Sequence, residues 1–312
     1  MRQTTRFVPV AHMADGSTGG LHIHDLEGSL GSGPTLGVCA AIHGNEPTGV
    51  EIILDFARAV RDRPFRGRLR LLPVANPHAF AANERFTPID WVNLNRVFPG
   101  AEGGTYSDQL AAVISREFLD TVDALVDLHS GTDRPTVDYS YLLNDEGLSR
   151  STMARVLYRA GRGKKGTTYS GTSATRLQEN GTPVVVVELG GGIVDQAPYV
   201  RRGVAGLLNV MRYLDMLDED VEEPNDQIII DSIELIRPTE GGFLEVEAPP
   251  LGEPIPGGAV LGRIVSPYTF EELAVVRNPV PNGIMILSHL SRNLVQPGDY
   301  AFMVGNLEGD TQ

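Results

Sequence analysis

The stretch CAAIHGNEPTG, residues 39 to 49, leaves an apolar run and within a few residues presents an imidazole at His43 and a carboxylate at Glu46. Other stretches share this texture. VDALVDLHSGT carries His129 at the end of an apolar run, and PVVVVELGGG closes its own run with Glu188. Between them NERFTPIDWVNLNRVFPG, residues 83 to 100, concentrates Arg and Asn. Two histidines and one carboxylate are a recurrent ligand set for catalytic zinc, with a fourth position left for water or substrate. Their donors suit that borderline-soft ion. Closed structural sites normally take four protein ligands, usually with thiols, whereas this set offers three and no thiol. Taken alone, His43 reads as an ordinary loop histidine; it is the repetition at three strand ends that makes a site. Asp127, two residues before His129, shares its strand face and is placed to act behind it. His22 and His24 alternate in a Gly-rich stretch and read as a solvated pair on one strand face, while His12, His78 and His289 stand isolated.

The elements that must hold these residues follow from periodicity. Residues 36–42, 68–75, 123–129 and 183–189 read as strands, as does 139–144, and residues 47–60, 107–122, 148–161 and 199–217 read as helices. Pro47 is suited to a helix first turn. Fully apolar strands alternating with helices predict an α/β fold with a mixed, mostly parallel sheet covered by helices on both faces. In such sheets sites lie just beyond strand ends, where the candidates fall.

The chain has 312 residues and one cysteine, Cys39, inside an apolar run, so no disulfide framework is expected and a buried, inert thiol is. The net charge of −14 argues against nucleic acid as a partner. No apolar run reaches membrane-span length, and the N-terminal residues lack an apolar core for a signal peptide, so a cytoplasmic location is expected. The basic residues are almost all arginine, with only Lys164 and Lys165 as lysines. Arginine suits bidentate carboxylate recognition, although a general compositional bias would give the same skew.

HGNE-P-TG, then NLNRVFPG, then DLHSGT, then a strand ending in ELGGG resembles the succinylglutamate desuccinylase/aspartoacylase family, within the zinc carboxypeptidase-like hydrolases. The likeness runs through residues 36 to 195, with four separate motifs in the same order. It implies one zinc ion per chain bound by His43, Glu46 and His129, with Glu188 as general base. It implies that Asn95 and Arg96 hold the substrate carboxylate and that Arg85 polarises the scissile carbonyl. Where aspartoacylases have an acidic residue two before the second Asn of the motif, this chain has Asn93. Arg176 is a second candidate for anion contact, with an exposed helix position as the alternative, and Tyr139, Tyr141 and Tyr169 are within reach in sequence terms.

Residues 1–217 are therefore expected to form a zinc hydrolase domain and 218–227 an acidic linker. Residues 228–312 are expected to form a small all-β, barrel-like domain. Its passages PTEGGFLEVEAPPLGEPIPGGAVLGRIV and NPVPNGIMILSHLSRNLVQPGDYAFMV resemble the half-repeats of biotinyl/lipoyl-like barrels. No lysine occurs there, so a carrier role is excluded and packing or shaping of the site mouth is expected. The expected activity is zinc-dependent removal of an acyl group from an N-acyl amino acid. Relatives resembling the chain include deacetylases of N-acetylated diamino acids. The alternatives are a metallocarboxypeptidase acting on a short peptide, or an inactive binding protein of the same fold. The expected partner is a small molecule, with homo-oligomerisation left open.

Overall fold

The structure, a computed structural model, describes residues 1–160 and 170–307. Lys164, Lys165 and Tyr169 lie outside the described residues. A long N-terminal hairpin, β1 (Arg2–His12) and β2 (Thr18–Glu27), precedes β3 (Thr35–Ala40), α1 (Thr48–Val60), β4 (Arg68–Leu72) and α2 (Pro77–Ala82). Next come α3 (Tyr106–Glu117), β5 (Ala124–His129), β6 (Thr136–Tyr141), α4 (Glu146–Ser151) and β7 (Val156–Tyr158). Then follow α5 (Ser173–Glu179), β8 (Val184–Gly190) and α6 (Ala197–Tyr213).

The sheet core is β4–β3–β5–β8, paired in parallel, and its alternation sorts side chains to two faces. On one face Leu36, Val38, Val126, Leu128, Val185 and Val187 pack against Ile52, Ile53 and Phe56 of α1 and Leu207 and Val210 of α6. On the other, Cys39, Leu125 and Val184 pack against Leu110 and Ile114 of α3 and Leu177 of α5. That second face carries His129 and Glu188 at its rim. Local signals agree: Thr105 and Asp108 form a capping box on α3, and Pro47 stands at the N-cap of α1. His22 and His24 share the outer face of β2, as expected.

Two readings need correction. The sheet is mixed rather than mostly parallel: β2 meets β4 antiparallel, and β6 lies antiparallel to both β8 and a later strand, β15 (Asn282–Ser288). β2 is half-exposed, whereas β6 and β15 are buried; all join the sheet through hairpins or returning segments, which need no crossover helix. Residues 148–161 are not one helix. The chain leaves α4 at Thr152, passes Met153 at φ 63°, and runs as β7 in parallel with β6. Hydroxyls of Ser151 and Thr152 accept local geometry by donating to the carbonyls of Gly147 and Ser149, competing with helix propagation. The following Val-Leu-Tyr suits a strand.

After α6 the acidic segment carries no helix or strand and is tied down by Arg66–Asp218 and Arg212–Glu222 ion pairs, 2.6 and 2.7 Å. The described residues beyond it form strands and turns. Five strands extend the large sheet: β9 (Ile228–Ile230), β10 (Ile233–Ile236), β12 (Pro254–Pro256), β15 and β17 (Phe302–Asn306). Four others, β11 (Gly242–Val246), β13 (Val260–Val265), β14 (Glu272–Arg277) and β16 (Asn293–Val295), form a second sheet. The two similar passages exchange their middle strands: β12 crosses to the large sheet and β16 to the small one. The C-terminal segment is thus all β, yet it shares the large sheet with the rest of the chain.

Candidate metal centre

His43 follows β3 through Ala41, which turns the chain at φ 51°. Gly44 then lies against α2, where a β-carbon would fall 1.9 Å from the carbonyl carbon of Ala79. Only glycine lets the His43–Glu46 loop seat that closely. His129 ends β5, opposite Glu188 at the end of β8. After Glu188, Gly190 and Gly191 adopt φ 70° and 101°, and the loops interlock through Gly131 N–H to Gly190 O and Gly192 N–H to Thr132 O, 3.1 and 2.8 Å. The third loop is anchored by Thr87 and Asp90, which accept hydrogen bonds from Ser107, and by Asn93, whose side chain caps the turn at Asn95.

These loops bring His43, Glu46 and His129 together, all buried, with one donor atom from each lying within 4.8 Å of the others. Nδ1 of His43 and Nδ1 of His129 approach the two Glu46 oxygens at 2.9 and 2.8 Å. The remaining nitrogens are occupied from behind. Nε2 of His43 faces the Asn93 carbonyl at 3.2 Å, and Nε2 of His129 faces Asp127 at 3.3 Å. Asp127 in turn accepts from the Cys39 thiol at 3.2 Å and from the Ser173 hydroxyl. An acceptor behind each imidazole fixes its tautomer and leaves Nδ1 bare toward the shared point. The donor set therefore fits a divalent cation, with Asn93 supplying from a neutral amide the acceptor that orients His43.

The surrounding carboxylates favour positive charge at this point, carried by a proton on His129 or by a cation in its place. Burial works against charge on His129, but Asp127 and Glu46 outweigh it and hold its pKa well above the ordinary imidazole value. Burial raises Glu46, and the two imidazoles overcome this and keep it below the usual carboxylate range. Burial pushes Glu188 up to about 8; the Glu46 and Asp127 carboxylates add to the rise, while His129 and Arg85 oppose it. The Cys39 thiol is pushed up by burial and by Asp127, as suits an inert group.

A cavity of about 300 Å³ opens over these residues and is lined by Arg85, Asn95, Arg96, Tyr139, Tyr141 and Glu188 among others. Arg85 donates to Glu46 at 3.0 Å. Asn95 reaches His129 Nε2 at 3.5 Å and accepts from the Ser173 N–H at 3.1 Å. Arg176 is not among the cavity residues: its guanidinium meets Asp120 at 3.1 Å on the outer side of α5. Ser130, Ser173 and Arg134 also line the cavity and had no signal beyond their position beside motif residues. Leu235, Leu287, Tyr300 and Met303 reach it from the C-terminal strands.

The sequence profile described as succinylglutamate desuccinylase/aspartoacylase catalytic domain matches residues 32–214. The chain belongs to that family. It is 27% identical, over 75% of its length and 71% of the relative's, to the Nα-acetyl-L-2,4-diaminobutyric acid deacetylase of Halomonas elongata. It superposes with a TM-score of 0.83 on a succinylglutamate desuccinylase from a Silicibacter species, at 27% identity over 98% of this chain and 95% of that one. The product-bound ectoine utilization protein EutE of Ruegeria pomeroyi shares the fold, with a TM-score of 0.86 at 24% identity over 97% and 95% of the two chains. Among the described residues of this family member no helix is long and apolar enough to cross a membrane.

Proposed function

We propose that the chain is a metal-dependent deacylase that hydrolyses the amide bond of a small N-acyl amino acid. The observation that carries this reading is the meeting, around one cavity, of a three-ligand cation site, the Glu188 carboxyl and the Arg85 and Arg96 side chains. A divalent cation such as zinc, held by His43, Glu46 and His129, would supply Lewis acidity to polarise the amide oxygen and acidify water beside it. Glu188 takes a proton from water as the hydroxyl adds to the acyl carbon, then returns it to the nitrogen as the C–N bond breaks. A bound cation's charge would oppose the rise that burial causes and favour the carboxylate form that accepts the proton. Arg85 offers N–H donors where negative charge develops on the oxygen, and its contact with Glu46 keeps it beside the centre. Arg96 presents a planar fork and Asn95 an amide to the substrate carboxylate.

The Halomonas relative, named for deacetylation of an acetylated diamino acid, supports the reaction class. The test is a panel of N-acetyl, N-succinyl and N-formyl amino acids incubated with zinc-loaded protein, reading free amine. Release of amine that vanishes on chelation and in Glu188→Gln is expected. No release from any member, or full turnover by Glu188→Gln, overturns the reading.

A further inference from the structure

The sheet that ends in His129 and Glu188 does not stop there. Across it, His129 of β5, Glu188 of β8 and Tyr139 of β6 are register partners, so their side chains share a face. Two residues further along β8 a second row begins, in which Gly190 pairs Thr136, Thr136 pairs Leu287, Leu287 pairs Met303, and Met303 pairs Leu235. An irregularity in β6 between Thr136 and Tyr139 brings both to the cavity side, and Leu287, Met303 and Leu235 line the cavity with them. Tyr141 joins this wall, its ring 5.7 Å from that of Tyr139.

Asn95, proposed with Arg96 to hold the carboxylate, lies on the far side of Glu188 from Tyr139. Asn95 touches His129, and Arg96 follows it in the same turn. At about 4.8 Å per strand, Tyr139 stands one strand beyond Glu188, Leu287 two and Met303 three. A substrate clamped at Asn95–Arg96, with its amide at Glu188, therefore extends its other end over Tyr139, Tyr141, Leu287 and Met303. Glu188 pairs Tyr139 at the near end of this wall, and Arg134, which also lines the cavity, is paired with Asp133 at 2.8 Å. Among the described cavity residues the carboxylates are Glu46 and Glu188, both already at the centre.

We infer that this wall is an acyl-chain subsite and that the preferred substrates are N-acyl amino acids whose acyl group is apolar and longer than acetyl, aliphatic or aryl. The inference rests on the deacylase reading above. Water adds to the acyl carbon, the C–N bond breaks, and the products are the free amino acid and an apolar carboxylic acid.

The experiment holds the amino acid constant and varies the acyl group: acetyl, butyryl, hexanoyl, benzoyl and succinyl, in two series built on alanine and on glutamate, with zinc-loaded protein. Burial of each methylene is worth about 0.8 kcal/mol, or roughly fourfold. The kcat/KM ratio of butyryl over acetyl is then expected to exceed about tenfold, with succinyl below butyryl. Met303→Lys should collapse that ratio toward one and raise succinyl relative to butyryl. Leu287→Gln, closer in shape, should lower the same ratio if Met303→Lys fails to fold. Turnover in which acetyl or succinyl matches or outruns butyryl, or variants that keep the parent ratio, overturns this inference alone. Absence of turnover on every member in both series overturns the deacylase reading and this inference with it.

Discussion

The cavity has two walls built on different physics. The wall of His43, Glu46, His129, Asn95 and Arg96 stands on loops that leave parallel strands, and nearly every polar atom there is held by another. Asp127 sits behind His129, Asn93 behind His43, and Ser173 bridges Asp127 and Asn95. The wall of Tyr139, Tyr141, Leu287 and Met303 stands on the faces of antiparallel strands, and what it offers is area. The first wall needs directions fixed to a few tenths of an ångström; the second needs only volume and the right phase. Residues of the first should therefore be unforgiving and those of the second graded.

The largest expected separation is at Glu188. Glu188→Gln would remove the proposed proton carrier and leave the proposed ligands, so turnover should fall about 10²- to 10⁴-fold for every acyl group. Zinc content by elemental analysis should stay near one per chain; a loss confined to long acyl chains would place Glu188 on the wrong wall. Next is Asp127→Asn, which keeps shape but removes the carboxylate behind His129. Metal affinity should drop about 10- to 100-fold, read by competition with a chromogenic chelator, while the butyryl-to-acetyl ratio is unchanged.

Much of the first wall was legible before any coordinates. His43, His129 and Glu188 announce themselves because each ends an apolar run, with Glu46 three residues after His43, and a strand end in a sheet of this kind has few places to be. Asn93 and Ser173 were not legible in their roles, since an amide or hydroxyl behind a ligand leaves no pattern in the chain. Arg176, read as either an anion contact or an exposed helix residue, lies on α5 with its guanidinium on Asp120, apart from the cavity residues. The second wall was the least legible. Leu235, Leu287 and Met303 are single apolar residues in short strands, and nothing local says that β15 will pair with β6 and bring them to the cavity. Long-range antiparallel pairing likewise made the sheet mixed where apolar strands suggested a mostly parallel one.

Two smaller effects sharpen the contrast. Gly44→Ala forces a β-carbon into the Ala79 backbone, so the His43–Glu46 loop must lift. A loss of about 1–3 kcal/mol is expected, with zinc lost alongside stability in thermal melts taken with and without metal. The smallest concerns His289, buried just after β15. Burial and Arg134 lower its pKa to about 4, against the opposing pull of Asp133 and Asp299. A histidine depressed in the fold binds its proton more readily when unfolded, so stability should decline as pH falls from about 6.5 toward 4. His289→Gln should flatten that part of a melting-temperature profile. An unaltered profile would remove His289 from the account.

The irregular step in β6 carries a lesson for anyone who edits this strand. Its extra residue acts as a half-beat in a two-beat rhythm, letting residues three apart, Thr136 and Tyr139, look the same way. Deleting or inserting a single residue there would not enlarge or shrink the recess by degrees. It would exchange inside for outside along everything upstream of the step or everything downstream. Length variation in this strand should be tolerated in pairs of residues or not at all, and its buried positions, Val137 and Ser140 among them, leave little room for point changes either.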